Sequence, residues 1–169
     1  MLSTSDIVAK YGMPGAVPMA RIATAYPMKL AWSTDVEVNM IACHPLIATR
    51  LQQTFKDLLA YYGIKNIKKY GLDLFGGCYN NRPMRGAEVK YQRLMKQGKI
   101  EEAMALLSRH AWGIAIDLDP ERNSLKAKAD TASFAKKEFE GLHKIFERNG
   151  FINYGKVKGY DFMHFEINI

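Results

Sequence analysis

His110 and Asp117 stand seven positions apart in the run Ser108-Arg109-His110-Ala111-Trp112-Gly113-Ile114-Ala115-Ile116-Asp117. A second histidine, His164, lies near the far end in Asp161-Phe162-Met163-His164-Phe165-Glu166. Two imidazoles and one carboxylate are ligand types that zinc accepts, and three protein ligands rather than four leave a position for water. An open position implies chemistry rather than a structural clip, with one zinc per chain expected. Asp161, three residues before His164, stands where a general base for that water could be placed.

These side chains need strands and a turn to bring them together. Residues 113–119 alternate: Ile114, Ile116 and Leu118 face one way, Ala115, Asp117 and Asp119 the other. A last strand over Asp161–Ile169 sends Phe162, His164 and Glu166 to one face. If the two strands are neighbours, Asp117 and His164 meet on a common face and His110 reaches in from the preceding turn. Gly113 and Ala115 keep the surroundings small.

The rest of the chain reads as an α+β domain with a small antiparallel sheet packed against helices. Ser3-Thr4-Ser5-Asp6 followed by Ile7, Val8 and Tyr11 predicts a capped helix ended by Gly12. Residues 14–27 read as extended and irregular, and 34–42 as a strand. Pro45 opens a helix through Tyr62 with Leu46, Leu51, Phe55, Leu58 and Leu59 at helical spacing, stopped by Gly63. Leu72–Tyr79 is a short strand leading into the turn Asn80-Asn81-Arg82-Pro83. Residues 89–107 are helical with a break near Gly98, and 131–149 form one helix carrying Phe134, Phe139, Leu142, Ile145 and Phe146. One domain over 1–169 is expected, with 1–33 an N-terminal extension packed on it and 87–107 a helical hairpin or lid beside the cleft.

Composition narrows the partners. A chain of 169 residues with 48% hydrophobic and 24% charged residues suits a soluble globular domain with a substantial core. Its net charge of +7 favours polyanions. Nucleic acid is not expected, because the basic residues are scattered and the densest stretch, Lys126 to Lys137, reads as the solvated face of a helix. An anionic bacterial envelope surface is compatible, and a monomer is expected. Cys43 and Cys78 have no paired spacing and read as buried free thiols. Residues 1–25 lack the apolar core of a signal peptide, and no apolar run is long enough to span a bilayer. The expectation is cytoplasmic synthesis in soluble form, with any extracytoplasmic work needing another exit route.

The run from Ser108 to Asp117 resembles the Ser-x-His-x-x-Gly-x-Ala-x-Asp signature of the zinc D-Ala-D-Ala peptidases, matched at Ser108, His110, Gly113, Ala115 and Asp117. That group includes bacterial carboxypeptidases and the L-alanyl-D-glutamate endopeptidases of phage lysis. A second motif is matched by Asp161, His164, Phe165 and Glu166, and Gly77-Cys78-Tyr79-Asn80-Asn81-Arg82 resembles the segment bearing the active-site arginine, followed by Arg85-Gly86. The resemblance implies the hedgehog/D-Ala-D-Ala peptidase-like fold and a peptidoglycan stem peptide as substrate. It implies His110, Asp117 and His164 as zinc ligands, Asp161 as catalytic acid/base and Arg82 as the cation near the scissile carbonyl. Ser108 could bind substrate or simply form the turn.

Rivals stay open at this point. Glu166 shares a face with His164 and could be the base, although a supporting role fits its position one strand repeat away. Arg85 could replace Arg82. Glu140-x-x-His143 has ligand-like spacing but reads as a solvated pair on an amphipathic helix, and Cys43 beside His44 is a conceivable metal pair. The expected activity is hydrolysis of a stem-peptide amide, L-Ala–D-Glu first and D-Ala–D-Ala second, with a non-catalytic zinc binding domain as the reading from another class.

Overall fold

A computed structural model describes residues 1–169. Its first element is α1 (Thr4–Tyr11), where the Ser3 hydroxyl accepts from the Asp6 amide and the Asp6 carboxylate accepts from the Ser3 amide. This reciprocal cap satisfies two donors that a helix start leaves free. Ile7 and Tyr11 bury the inner face, and Gly12 ends the helix.

The sheet has six strands: β1 (Ala20–Leu30), β2 (Ser33–Cys43), β3 (Leu74–Gly77), β4 (Ala115–Leu118), β5 (Phe151–Asn153) and β6 (His164–Ile167), in the spatial order β2-β1-β3-β4-β6-β5. It is mixed rather than antiparallel throughout, because β1 and β3 run parallel. The irregular chain expected before residue 27 is also a strand from Ala20 onward. Pro27, which cannot donate to a ladder, falls where the β1–β2 register shifts between Ala23 and Met28. A bulge tolerates the missing N–H of proline. Around it, Ile22, Tyr26 and Met28 are buried.

The helix α2 (Pro45–Lys69) covers the sheet. Pro45 opens it, and the His44 ring caps it by accepting from the Leu46 amide while its other nitrogen meets the Tyr11 carbonyl. That engagement removes His44 from any pairing with Cys43 on a metal. Gly63, at a non-helical φ of 68° and ψ of 158°, breaks α2 where the stop was expected, and a second helical stretch continues to Lys69. Ile47, Leu51, Phe55 and Leu58 are buried, whereas Leu46 is exposed. Cys43 and Cys78 are buried free thiols.

After β3 the chain forms α3 (Glu88–Lys96) and α4 (Ile100–Met104), separated at Gly98 with φ 69°. The foot of this hairpin is pinned by Met84 N–H to Leu106 O at 2.8 Å and Ser108 N–H to Arg82 O at 3.1 Å. The segment carrying Arg82 is thereby tied to the start of the His110 turn.

The single helix expected over 131–149 is instead two 3-10 turns, Ser133–Ala135 and Lys137–Phe139, followed by α5 (Glu140–Arg148). The buried Asn123 side chain accepts from the Phe134 amide at 2.6 Å, diverting the backbone from a helical ladder. Lys126–Lys137 is therefore not a helix face; Lys128 pairs with Tyr160 as an isolated bridge. Phe134, Phe139, Leu142, Ile145 and Phe146 are all buried as expected. Two short elements went unanticipated, β5 and α6 (Tyr154–Lys158). No helix is long and apolar enough to cross a membrane.

His143 is buried, not solvated, and stacks on Phe165 with ring centroids 6.0 Å apart. One ring nitrogen meets the Phe134 carbonyl at 2.7 Å, and the other has no partner. Burial holds its pKa below the usual 6.5. The unfolded chain thus takes up a proton first as pH falls, so the contribution is present above pH 6.5 and is lost progressively below it. His143→Gln, which retains a donor for Phe134 O, should flatten the fall in melting temperature between pH 6.5 and pH 5. Parallel thermal melts check this; identical slopes in the two proteins would count against it.

Candidate metal centre

Strands β4 and β6 pair antiparallel with Ala115 opposite Glu166, Ile116 opposite Phe165 and Asp117 opposite His164. Directly opposed residues project from one face with Cβ atoms about 4.5–5.5 Å apart. Asp117 and His164 therefore meet: His164 Nδ1 lies 3.0 Å from Asp117 Oδ1. His110 arrives from the 3-10 turn Arg109–Trp112, with Nε2 3.2 Å from the same oxygen. Gly113 closes that turn at φ 66°, and a Cβ there would lie 2.7 Å from Met19 Sδ and 3.0 Å from the His44 amide nitrogen. A residue with a side chain would have to push the turn off its support.

The donor set fits a zinc ion. Ligand atoms of His110, Asp117 and His164 lie within 4.8 Å of one another, and all three residues are buried. Tetrahedral bonds near 2.0–2.1 Å place ligand atoms about 3.3 Å apart, close to the 3.2 and 3.0 Å found here. The remaining ring nitrogens are already engaged. His110 Nδ1 is 2.7 Å from the Cys78 carbonyl and His164 Nε2 is 3.2 Å from Glu166 Oε2. Such outer partners fix the ring orientation and tautomer of metal-binding histidines, leaving Nε2 of His110 and Nδ1 of His164 to face Asp117.

Electrostatics points the same way. Burial pushes the Asp117 carboxyl upward, but the charges and hydrogen bonds of His110 and His164 outweigh it and hold its pKa well below the usual carboxylate value. Burial likewise pulls His164 down, yet the hydrogen bonds its ring donates to the Asp117 and Glu166 carboxylates reverse this and hold the imidazole at about 10. Two carboxylates facing one imidazole suit a cation, and a metal bound at Nδ1 would take the place of the proton there.

A cavity of about 360 Å³ opens on this group, lined among others by Arg82, Arg85, Ser108, Tyr154, Tyr160 and Asp161. Asp161 is not in the last strand, which begins at His164; it sits in the preceding turn at φ 63°, with its carbonyl accepting from the His164 amide at 3.2 Å. Aspartate is among the few side chains that enter this region readily. Burial raises the Asp161 pKa, opposed by His164, and one carboxylate oxygen is buried without a partner.

Arg82 and Arg85 both line the cavity. Arg82 donates to the Pro83 carbonyl at 3.1 Å, while the Arg85 charge reaches Asp161 and pulls its pKa down. Ser108 lines the cavity too, and its hydroxyl accepts from the His110 amide at 3.4 Å as the cap of the turn. Glu166 holds His164 and lies 4.0 Å from Arg109 Nε. The Cys78 carbonyl and the aromatic pair Tyr154 and Tyr160 escaped notice in the sequence. A backbone acceptor leaves no residue-type signal, and two tyrosines near a helix end are ordinary.

Glu166→Gln should weaken zinc binding by about tenfold, the lower end for an outer partner, because glutamine keeps an acceptor for His164 Nε2–H without the charge. Competition with a chromogenic chelator measures this. Unchanged affinity would remove Glu166 from the metal site.

Residues 101–167 match the protein-family model described as D-alanyl-D-alanine carboxypeptidase. The match holds His110, Asp117, Asp161 and His164, while Arg82 and Arg85 lie before it. A search of curated proteins found no match. The family match, with a buried His-Asp-His group that could bind a metal, supports a zinc-type metallopeptidase.

Proposed function

We propose that this chain is a single-domain zinc peptidase that hydrolyses an amide in the peptide stem of peptidoglycan, acting as an endolysin on the L-Ala–D-Glu bond. The observation that carries the reading is the buried His110, Asp117 and His164 group opening on the same cavity as Asp161. A binding module has no need of a carboxylate raised by burial beside such a group. The resemblance of the segments around His110, His164 and Arg82 takes in L-alanyl-D-glutamate endopeptidases and D-Ala–D-Ala carboxypeptidases alike, so the released ends decide between them. The description of the matching family favours D-Ala–D-Ala carboxypeptidase as a second reading.

In this mechanism His110, Asp117 and His164 hold zinc, which supplies Lewis acidity and lowers the pKa of water to about 7. Asp161 accepts the proton of the attacking water at its carboxylate and returns it to the leaving amine. Its raised pKa suits both transfers. Arg82 places positive charge beside the developing oxyanion, where loss of one donor typically costs about 100- to 1,000-fold. Arg85 biases Asp161 toward its charged form. Ser108 shapes the His110 turn and presents its hydroxyl to substrate. The α3–α4 hairpin, whose foot at Ala105 and Leu107 lines the cavity, would select among stem peptides. The net charge of +7 favours approach to anionic envelopes.

Incubating the purified chain with peptidoglycan, with and without chelator, and identifying the released ends by mass spectrometry tests the proposal. New N-terminal D-Glu indicates the endopeptidase and free D-Ala the carboxypeptidase. Absence of any zinc-dependent product overturns both.

A further inference from the structure

Asn153 ends β5 and caps α6, is 3% exposed, and lies outside the metal group and the cavity lining. Its side chain works in two directions. The carbonyl oxygen accepts from the Lys156 amide at 3.0 Å, an ordinary helix cap. The amide nitrogen donates to Phe162 O at 2.7 Å and His164 O at 3.3 Å, the carbonyls on either side of Met163.

Those two carbonyls fix the end of the stretch that leads from Asp161 to His164, one just after Asp161 and the other on His164 itself. The turn needs outside support, because Asp161 holds a positive φ of 63° and the chain must pass within three residues from that turn into β6. Other contacts press on the same stretch: the Met163 amide donates to Asn123 O at 3.0 Å, and the Phe162 ring lies where a Cβ on Gly155 would stand, 2.3 Å away. Tyr154, the next residue after Asn153, packs edge-on to the His164 ring with centroids 5.8 Å apart. The β5–α6 junction thus grips the turn, with Asn153 outside the cavity lining and Tyr154 within it.

We propose that Asn153 is a positioning residue that sets the spacing between Asp161 and His164 by clamping the carbonyl of Phe162, which lies between them, together with that of His164 itself. The proposal builds on the zinc peptidase reading of the site. A carboxamide is suited to this task, since it alone among small N-cap side chains offers both an acceptor for the helix amide and two N–H donors for the turn. Aspartate and serine retain the cap and lose the clamp: aspartate presents a carboxylate to two carbonyls, and serine is too short to span them.

The test uses the full-length chain carrying Asn153→Asp and Asn153→Ser, with hydrogen exchange, zinc competition and steady-state hydrolysis measured on each. Exchange at the His164 amide should rise at least tenfold while amides of α5 keep their protection. Zinc affinity should fall by about 10-fold or more, in line with loss of an outer partner. Hydrolysis should lose about 100-fold in kcat with KM within twofold, since a misplacement near 1 Å can cost that much. Failure of one variant to fold leaves the other to decide. Wild-type exchange, zinc affinity and kcat in a folded Asn153→Ser protein would reduce Asn153 to a helix cap and overturn the proposal. If the wild-type chain itself bound no zinc and cleaved nothing, the peptidase reading would fall, and the exchange measurement would still decide whether Asn153 holds the turn.

Discussion

Replacing His164 with alanine should reduce zinc from about one ion per chain to near zero after gel filtration, and with it abolish hydrolysis. His110 and Asp117 would be left as the pair 3.2 Å apart, one ligand short of the three found in catalytic zinc sites. The loss of affinity should exceed the roughly 100-fold at the upper end for removal of an outer partner. The substitution also removes the group that both Asp117 Oδ1 and Glu166 Oε2 face, at 3.0 and 3.2 Å. Two buried carboxylates then lose a hydrogen-bonding partner, so a lower melting temperature is expected as well. Circular dichroism separates metal loss from unfolding. His143→Gln serves as the control, since His143 bonds Phe134 in the core and should keep the zinc. Full zinc retention in a folded His164→Ala protein would refute the His-Asp-His assignment.

Asp161→Asn should keep zinc and fold but lose about 100- to 10,000-fold in kcat, the range for removal of a general acid–base group. The asparagine amide occupies the same volume and tolerates the positive φ of the turn, so the backbone has no reason to move. It cannot take up the proton of water. Protonation of the Asp161 carboxylate should give the rate profile an acid limb. The asparagine variant should lack this limb in its residual activity. Comparison with Glu166→Gln is decisive for the assignment: at equal zinc occupancy, a deeper loss in the glutamine variant would move the base to Glu166. Its contacts with His164 and Arg109 speak for a supporting role instead.

Much of the candidate site was legible because its signals are local. Alternation over 113–119 has period two, so Asp117 could be set against Ile116 and Leu118 without knowledge of any partner strand. The same rule put His164 and Glu166 on one face of the last strand, where the Glu166 carboxylate indeed meets the His164 ring. The Ser3 cap and the Pro45 helix start depend on a few neighbouring residues and appear where they were expected. Arg82 and Arg85 remained open in the sequence, since Pro83 between them leaves their directions undetermined. Both reach the cavity.

What the tertiary structure decided are the features that depend on distant partners. Residues 131–139 have an apolar pattern compatible with a helix, and only the long-range bond from Phe134 N–H to Asn123 breaks them into 3-10 turns. Pro27 weakens any local claim to a strand, yet β2 and β3 on either side supply pairing that a bulge can absorb. Strand parity could not place Asp161, because it stands in a left-handed turn before β6, where the period-two rule has no force. The sequence by itself determined which side chains offer ligand and base chemistry and that Asp117 and His164 each point off one face of a strand. Register between β4 and β6, the Cys78 carbonyl behind His110 and the Asn153 side chain at the Asp161 turn came only from the folded chain. Backbone carbonyls are common to every residue type, and so their roles are visible only once the chain has brought them to their partners.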